Sequence, residues 1–359
     1  MDGEGDYIMS EFFGRKPHAG GRGRADDAEI SAARLAGAAL FTVSGYVIAA
    51  LINVLFPQVA EVKELTVYSL AFFSVDRNAF YRLVLAFVCL LYVLSALIAC
   101  FKTARRARVV SRSAFRFAGG VALGVWDIVG TKLQLLPRPF FPGPAEILEA
   151  FLNDGAFIWK NMLYSLRLFA VGFVIGVIVG VATGILIGWF PKANYWIGPI
   201  LNICGVIPAV AWMPFALTLF PSAFSAAAFL IVICGWFPIA SLTAQGISST
   251  PKAQLEAART LGGGTFYQVF HVAVPHALPQ IFIGIGTANA FSFTTLVTAE
   301  MMGQPGGLGY YINAAKVWSN YYKVFASILV MAILFSLIMK FMGLIQAYAL
   351  RWQKGTVKQ

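Results

Sequence analysis

Charged residues are scarce in this chain. Asp, Glu, Lys and Arg make up only 12% of its 359 residues, whereas soluble domains usually carry about 25%. Hydrophobic residues make up 59%, and several apolar runs of roughly 20 residues are long enough to cross a ~30 Å hydrocarbon core as helices. The scarcity of charge excludes an ordinary soluble protein and predicts an all-α protein that crosses a membrane several times.

Residues that build metal, nucleotide or catalytic sites are also few. The four cysteines lie in apolar segments without CxxC spacing, and the three histidines form no HExxH-type pair. No G-x4-G-K-[ST] loop occurs, and the glycines at 262–264 lack the strand and the lysine of a phosphate cradle. We therefore expect no metal, no cofactor and no catalytic residue. The net charge of +11 is explained by cytoplasmic loops rather than nucleic-acid binding.

Composition divides the chain into five parts. Residues 1–33 are Gly-rich with mixed charge and are predicted to be a disordered cytoplasmic tail, without a secretory signal peptide. A transmembrane hairpin (34–101) and a basic linker (102–115) precede a unit of six spans (116–352). Residues 353–359 form a second tail. The eight predicted spans are 35–56, 80–101, 116–136, 163–189, 196–220, 223–243, 277–299 and 324–348.

The distribution of lysine and arginine predicts the orientation of these spans. With the N-terminus inside, seventeen of them fall in cytoplasmic segments and six in external ones. Cytoplasmic loops of membrane proteins carry the excess of basic residues. Both termini are therefore expected in the cytoplasm, together with the polar segment around 250–264.

Two spans have special backbone chemistry. The span at 163–189 carries glycine at every fourth position from 172 to 188, which forms one winding groove for close helix packing. The span at 196–220 contains several prolines, among them Pro208. Because proline removes a backbone donor, we expect a kink there, either beside a translocation path or as a packing irregularity.

The segment TPKAQLEAARTLGGG (250–264) has the pattern of a short water-exposed helix. Thr250 is the predicted N-cap, Pro251 the first helical residue, and Gly262 the left-handed stop. A second short helix is predicted to start at Thr265 and to end at Pro275. Local features alone do not distinguish this element from an ordinary cytoplasmic loop.

The spacing of this loop resembles that of a known family. Glu256-Ala257-Ala258, three residues, Gly262, nine residues and Val272-Ala273-Val274-Pro275 resemble the EAA loop of ABC importer permeases, with valine replacing the usual Ile and Leu. WDIVGTKLQLLPRPFFPGPAEIL, SLRLFAVGFVIG, IPAVAWMPFALTLF and TAEMMGQPGGLGYYI follow the order seen in permeases of the nitrate, sulfonate, taurine and bicarbonate group. The resemblance covers about 116–352, and not the hairpin. LTLFPSAFS departs from the family, which has a Gly-containing turn there.

The resemblance implies a type I six-helix core in a multi-pass protein of the bacterial inner membrane. It also implies two permease copies, a cytoplasmic ATPase dimer that binds ATP and Mg²⁺, and a periplasmic or lipid-anchored solute-binding protein. The loop 246–276 would couple the permease to the ATPase, and this chain would not be an enzyme. The expected coupling residues are Glu256, Ala257, Ala258, Gly262 and Pro275.

Polar residues in the spans are the candidates for the translocation pathway. Asn289, Thr294 and Thr295 are expected to line it, because an amide in hydrocarbon needs a polar environment. Serine and threonine also bond back to their own helix, which is an alternative role for the two threonines. Glu300, in the family's A-E-M position, forms either a salt bridge or part of a gate. Arg167 either attracts an anion or reaches the lipid headgroups, and Pro208 kinks its span.

Three other functions are alternatives to this interpretation. An ion-coupled secondary transporter would have inverted repeats or acids deep in its spans, and a membrane enzyme would have an ionisable constellation. Neither pattern occurs. The same importer machinery could also carry a pyrimidine-type vitamin precursor or an aromatic carboxylate. A small anion such as nitrate, a sulfonate, taurine or bicarbonate is the substrate expected from the resemblance.

Overall fold

The computed structural model describes residues 32–57, 68–70, 73–101, 103–137 and 139–351. The predicted tails lie outside these ranges, apart from the residues at 32 and 33. The chain divides into two compact units, residues 1–149 and 150–359.

The first unit contains helices joined by one small ladder. Its elements are α1 (Ala32–Leu55), β1 (Tyr68–Leu70), β2 (Phe73–Val75), α2 (Arg77–Phe101), α3 (Thr103–Ser111), α4 (Ser113–Trp126) and a π-helical turn (Asp127–Lys132). Strands β1 and β2 pair antiparallel, with Tyr68 opposite Val75. Most of the basic linker predicted at 102–115 is therefore helical.

Glycines allow α1 and α4 to pack closely in this unit. A Cβ on Gly120 would lie only 2.5 Å from the backbone carbon of Gly45. Arg77, at the start of α2, pairs with Glu149 at 3.2 Å and lies 3.9 Å from Glu146. These ion pairs join the predicted hairpin to the following segment of the chain.

Residues 113–132 are not long and apolar enough to count as a membrane span, although the sequence predicted one at 116–136. The segment includes Asp127, which is fully buried and accepts a hydrogen bond from Asn53 Nδ2 at 2.9 Å. Lys132 is also buried. Charged groups are costly in hydrocarbon, so they lie inside protein instead. The helix widens to a π turn at these residues and ends at Lys132.

The second unit is also helical. Helix α5 (Pro144–Trp189) begins in the first unit and has non-helical angles at Asp154. The other elements are α6 (Pro191–Val206), a 3₁₀ turn (Ala209–Trp212), α7 (Met213–Leu219), α8 (Ala223–Ser248), α9 (Lys252–Thr260), α10 (Thr265–Tyr267), a π turn (Gln268–Ala273), α11 (Val274–Met301), α12 (Leu308–Val317) and α13 (Tyr321–Ala349). Ser222 caps α8 by accepting the N–H of Ser225 at 3.2 Å, in the segment that departs from the family pattern.

The all-α membrane fold is confirmed, although the described residues contain fewer candidate spans than the eight predicted. Among the described residues, six helices are long and apolar enough to cross a membrane, or seven with the pair Pro191–Val206 and Ala209–Leu219 counted as one span. That pair is bent by 104°. Ile207 and Pro208 adopt extended angles, and Pro208 has no N–H to donate to the carbonyl of Cys204. The predicted helix at 196–220 is therefore broken.

The glycine groove of α5 contacts α8 directly. A Cβ on Gly184 would lie 2.5 Å from Thr243 Cβ and 2.7 Å from the Ala240 carbonyl oxygen. A Cβ on Gly180 or Gly188 would also lie within 2.8 Å of α8. Lipid supplies no hydrophobic force between helices, so such close packing is what holds them together.

We expect Gly184→Ala to destabilise the protein, because the new methyl group would overlap the α8 backbone, at a cost of about 1–3 kcal/mol. Gly176→Ala is the matched control, since its Cβ would make an ordinary 3.5 Å contact with Val232. Thermal unfolding of the detergent-purified variants measures the difference. Equal midpoints for the two variants would show that α5 and α8 do not pack as described.

Candidate functional site

The polar segment of the second unit forms the predicted short helix, α9, but starts it differently. Thr250 does not cap α9, because its Oγ1 donates to the Ile247 carbonyl at 2.8 Å and so closes α8. Pro251 is the N-cap residue, and no side chain caps the helix. The prediction of a Thr250 cap was wrong, because the hydroxyl is closer to the preceding helix.

Helix α9 ends in the glycine turn that the sequence predicted. Gly262 has φ +84°, in the left-handed region that favours glycine. Its N–H donates to the Arg259 carbonyl at 3.0 Å, and the Gly263 N–H donates to the Ala258 carbonyl at 2.9 Å. This pair of bonds is a Schellman motif, which satisfies the free carbonyls at the helix end.

A buried glutamine fixes this turn to the next helical segment. Gln268 is 4% exposed, and its Nε2 donates to the Gly263 carbonyl at 2.8 Å. Its own N–H donates to the Gly264 carbonyl. A Cβ on Gly263 would lie 2.8 Å from the Tyr267 ring. Sequence analysis missed Gln268, since its partner is a backbone carbonyl that only the folded turn presents.

The second short helix does not end at Pro275, contrary to the prediction. Val274 donates its N–H to Val269, five residues back, and α11 continues through Pro275 to Met301. Proline has no N–H to donate, so Pro275 would normally interrupt the helix. The π turn lies directly before it, and the helix continues past Pro275. Thr265–Met301 is thus one 37-residue helical segment, roughly 55 Å long at 1.5 Å per residue. It is longer than a ~30 Å bilayer core requires.

The end of this segment that carries α9 presents an exposed mixed surface. Glu256 and Ala257 are exposed, and Glu256 has no hydrogen-bond or ion-pair partner among the described residues. Leu261 is 88% exposed and Phe266 73%. Ala258 is buried instead and packs inward. Exposed apolar groups outside a bilayer are typical of protein-binding surfaces.

At the other end of α11, three side chains hold the start of α12. Asn161 Oδ1 accepts the N–H of Gly307 at 2.9 Å, and Ser165 Oγ accepts that of Leu308 at 2.8 Å. Glu300 Oε2 accepts the N–H of Gly309 at 2.8 Å. These N–H groups have no partner within their own helix. We call Asn161, Ser165 and Glu300 the α12 clamp.

The clamp is buried and requires glycine beside it. Each of its three side chains is at most 3% exposed. A Cβ on Gly307 would collide with the Glu300 carboxylate, and Gly307 has φ +110°. The carboxylate lies at a helix N-terminus, where negative charge is stabilised. Glu300 therefore orders α12, and it forms no salt bridge with the described residues.

A second contact joins α12 to α5. Tyr311 OH donates to Asp154 Oδ2 at 2.7 Å, and Lys323 Nζ lies 2.6 Å from the same oxygen. Burial, and then the hydrogen bond to Asp154, raises the pKa of the Tyr311 hydroxyl. Asp154 is the residue with non-helical angles in α5, so the break in α5 coincides with a polar junction.

The structure places the predicted pathway residues in different surroundings. Asn289 is fully buried and its Nδ2 lies 2.7 Å from Met339 Sδ, while Thr295 Oγ1 lies 3.1 Å from Cys234 Sγ. Thr294 is exposed and bonds back to the Ala290 carbonyl. Arg167 is exposed and its guanidinium stacks 5.5 Å from the Phe224 ring centre. These four predicted pathway residues have different neighbours, and their role in transport stays a prediction.

Comparison with known families gives a match over about half of the chain, which includes α9, its glycine turn and Glu300. The family model for "Binding-protein-dependent transport system inner membrane component" matches residues 172–354. The chain belongs to this family. It is therefore a multi-pass inner-membrane permease subunit of an ABC transporter, and the alternative of an ion-coupled secondary transporter was wrong.

Relatives in several bacteria are similar over most of their length. The putative aliphatic sulfonates transport permease protein SsuC of Bacillus subtilis (strain 168) is 29% identical over 66% of this chain and 86% of its own. The taurine transport system permease protein TauC of Escherichia coli (strain K12) is 28% identical over 60% of this chain and 80% of its own. The nitrate import permease protein NrtB of Synechococcus elongatus is 26% identical over 54% of this chain and 72% of its own. A solved structure of the MetNI methionine ABC transporter covers 55% of this chain and 98% of its own, at 20% identity and a TM-score of 0.47.

The α12 clamp predicts a difference between two substitutions of Glu300. Glu300→Ala removes the acceptor for the Gly309 N–H and leaves a buried donor unpaired, at a cost of about 1–3 kcal/mol. Glu300→Gln keeps an oxygen acceptor in the same place and should unfold closer to the wild-type temperature. Thermal unfolding, with limited proteolysis of residues 303–307, measures both effects. Wild-type behaviour of Glu300→Ala would exclude the clamp.

Proposed function

We propose that the chain is the transmembrane subunit of an ATP-driven importer and that its segment 246–276 docks on a separate cytoplasmic ATPase. The observation that carries the proposal is the geometry of α9 and its glycine turn. The helix is held by the Schellman motif and by Gln268, yet its Glu256 has no partner among the described residues. An ordered helix with an unpaired acid and exposed apolar neighbours supports docking on another protein.

The long segment Thr265–Met301 supports a mechanical role for this loop. It joins the α9 turn, through Gln268, to the Glu300 clamp at its other end. Closure of the ATPase around ATP would move α9, and the continuous helix would carry that movement across the membrane. The loop must contact the ATPase differently in its open and closed states, since only differential binding shifts a conformational equilibrium.

The remaining partners follow from this assignment. Two copies of the permease, two ATPase subunits that bind ATP and Mg²⁺, and an external solute-binding protein would form the complex. Glu256 would form a charge-assisted contact with a basic ATPase residue. The small side chain of Ala257, which is exposed, would allow close approach. Gly262 would set the angle of the turn, and Ala258 and Pro275 would support it from inside.

A small anion is the proposed substrate. The printed names of the relatives include sulfonates, taurine and nitrate, and none of these three names a vitamin precursor or an aromatic carboxylate. Arg167 is an exposed cation on α5, and it would raise the local concentration of an anion if it faces the pathway.

Reconstitution tests this function. The chain would be co-expressed with its ATPase, placed in liposomes with the solute-binding protein, and supplied with nitrate, taurine or an alkanesulfonate. We expect ATP hydrolysis and uptake of one of these anions to depend on the binding protein. ATP-dependent uptake of none of them, with uptake of an uncharged pyrimidine instead, would overturn the substrate class. Absence of a stable ATPase complex would overturn the docking assignment.

Gly262→Val should abolish ATP-driven uptake while the protein still inserts into the membrane. A β-branched residue is strained at φ +84°, at roughly 1–2 kcal/mol, so the turn would change its angle. Gly264→Val is the matched control, because Gly264 has φ −67° and open space around it. Uptake and membrane content would be measured for both. Normal uptake by Gly262→Val would contradict a coupling role for this turn.

A further inference from the structure

The end of the first unit that contains α3 is strongly basic. Residues 102–116 include six basic residues, and no Asp or Glu occurs between Asp76 and Asp127. Cytoplasmic loops of membrane proteins usually have an excess of lysine and arginine. This rule accounts for the number of basic residues, but it does not require that they be held on an ordered helix.

The acids of this unit lie at the opposite end of its helices. Among the described residues of the first unit, the acids are Asp76, Asp127, Glu146 and Glu149. Asp76 directly precedes α2, and the two glutamates lie beside Arg77 at the start of that helix. Asp127 follows α4 and is bonded to Asn53, near the end of α1. The 25 residues of α2 put roughly 37 Å between this end and α3, so no described acid of the unit neutralises the basic end.

Helix α3 is fixed where two candidate spans reach the bilayer surface. Arg106 donates from Nε to the Ala99 carbonyl at 3.2 Å and from Nη2 to the Cys100 carbonyl at 2.7 Å. Val109 is buried and packs with Leu35 and Ala99. Leu35 lies near the start of one candidate span, and Ala99 lies near the end of the next. The basic helix is therefore held at the boundary of the hydrocarbon core.

Two arginines on this surface have no protein partner. Arg108 and Arg112 are exposed, and neither guanidinium forms a hydrogen bond or an ion pair with the described residues. They are four positions apart, or about one helical turn. Phe101, before them in the chain, is 89% exposed, and Phe115, after them, is 82% exposed. Exposed cations beside exposed apolar rings are typical of a helix that lies in the headgroup region.

We propose that Arg108 and Arg112 bind the phosphate groups of anionic phospholipids in the surrounding bilayer, with Phe101 and Phe115 against the acyl chains. A guanidinium forms paired, charge-assisted hydrogen bonds with a phosphate. Basic residues next to a span attract anionic lipid, roughly fivefold for each residue. Charge complementarity identifies the occupant, because the surface is basic, lies at the bilayer boundary, and has lipid phosphate as its neighbouring anion.

Fluorescence quenching in vesicles tests the lipid site. The four native cysteines would be replaced by alanine, and a fluorophore attached at Ser111→Cys, an exposed position between the two arginines. The vesicles would contain equal amounts of phosphatidylglycerol and phosphatidylcholine, with a nitroxide quencher high on the acyl chain of one or of the other. We expect the phosphatidylglycerol quencher to be the more effective by at least about threefold. The difference should disappear in about 1 M salt, where the screening length is about 3 Å.

Substitutions in the same background assign the effect to these two residues. Arg108→Gln with Arg112→Gln should bring the quenching ratio of the two lipids close to one, whereas Arg108→Lys with Arg112→Lys should retain most of the preference because the charges remain. Lys192→Gln with Lys316→Gln is the matched control, since it removes two exposed cations of the second unit and should leave the ratio unchanged. Thermal unfolding of all three variants should match that of the parent protein.

Four outcomes would overturn the inference. Equal quenching by the two lipids in the parent protein would show that anionic lipid is not selected, and a preference that persists at high salt would show that it is not electrostatic. An unchanged ratio in the glutamine variant would show that these arginines have another occupant, such as the acidic stretch DDAE at 26–29. An equal fall in the Lys192 and Lys316 control would show that the total charge of the protein selects the lipid, and not this surface.

Discussion

The second unit depends on the contact between α5 and α8, where the glycine backbone of α5 lies directly against the carbonyls and the Cβ atoms of α8. Gly180, Gly184 and Gly188 leave no room for a Cβ against α8. In water, such a contact would be one of many apolar contacts. In lipid, close packing replaces the hydrophobic force, so these glycines decide where α8 lies. Helix α8 in turn packs along α11, with Gly246 against Ala277 and Gly284 against Pro238.

Helix α11 links the two candidate sites. On the side predicted to be cytoplasmic, it is continuous with the π turn that holds Gln268 against the α9 glycine turn. At its other end, Glu300 holds the N-terminus of α12. Both junctions use buried side chains to satisfy backbone groups at helix ends, and an unpaired backbone group there would be costly. Helices α9 and α12 are therefore connected through hydrogen bonds and one continuous helical segment, which is the geometry on which the proposed mechanical role rests.

Much of this arrangement was predictable from the sequence because it is local. The length and apolar character of the runs predicted the membrane helices. A glycine directly after a polar helix predicted the left-handed angle that Gly262 adopts. The predictions failed where a residue's partner is distant or unexpected. Thr250 bonds backward to Ile247, Asp127 is buried with Asn53, and a π turn allows the helix to pass Pro275. The partner of Asp127 is 74 residues away in the chain, whereas the backward bond of Thr250 and the π turn are local alternatives that the residue types leave open.

The sequence by itself determined the class of protein, the family and the glycine turn after α9, because membrane crossing, glycine turns and motif spacing are properties of short segments; the coupling role of that loop stays a prediction. Only the tertiary structure decided what Glu300 does, since its partner Gly309 is reached by the turn that precedes α12. Likewise, the sequence marks Asn202 as one polar residue in an apolar span. The structure shows that Asn202 is exposed while the adjacent Leu201 is 3% exposed in a cluster with Ala240, because α6 packs against α8 on the side of Leu201.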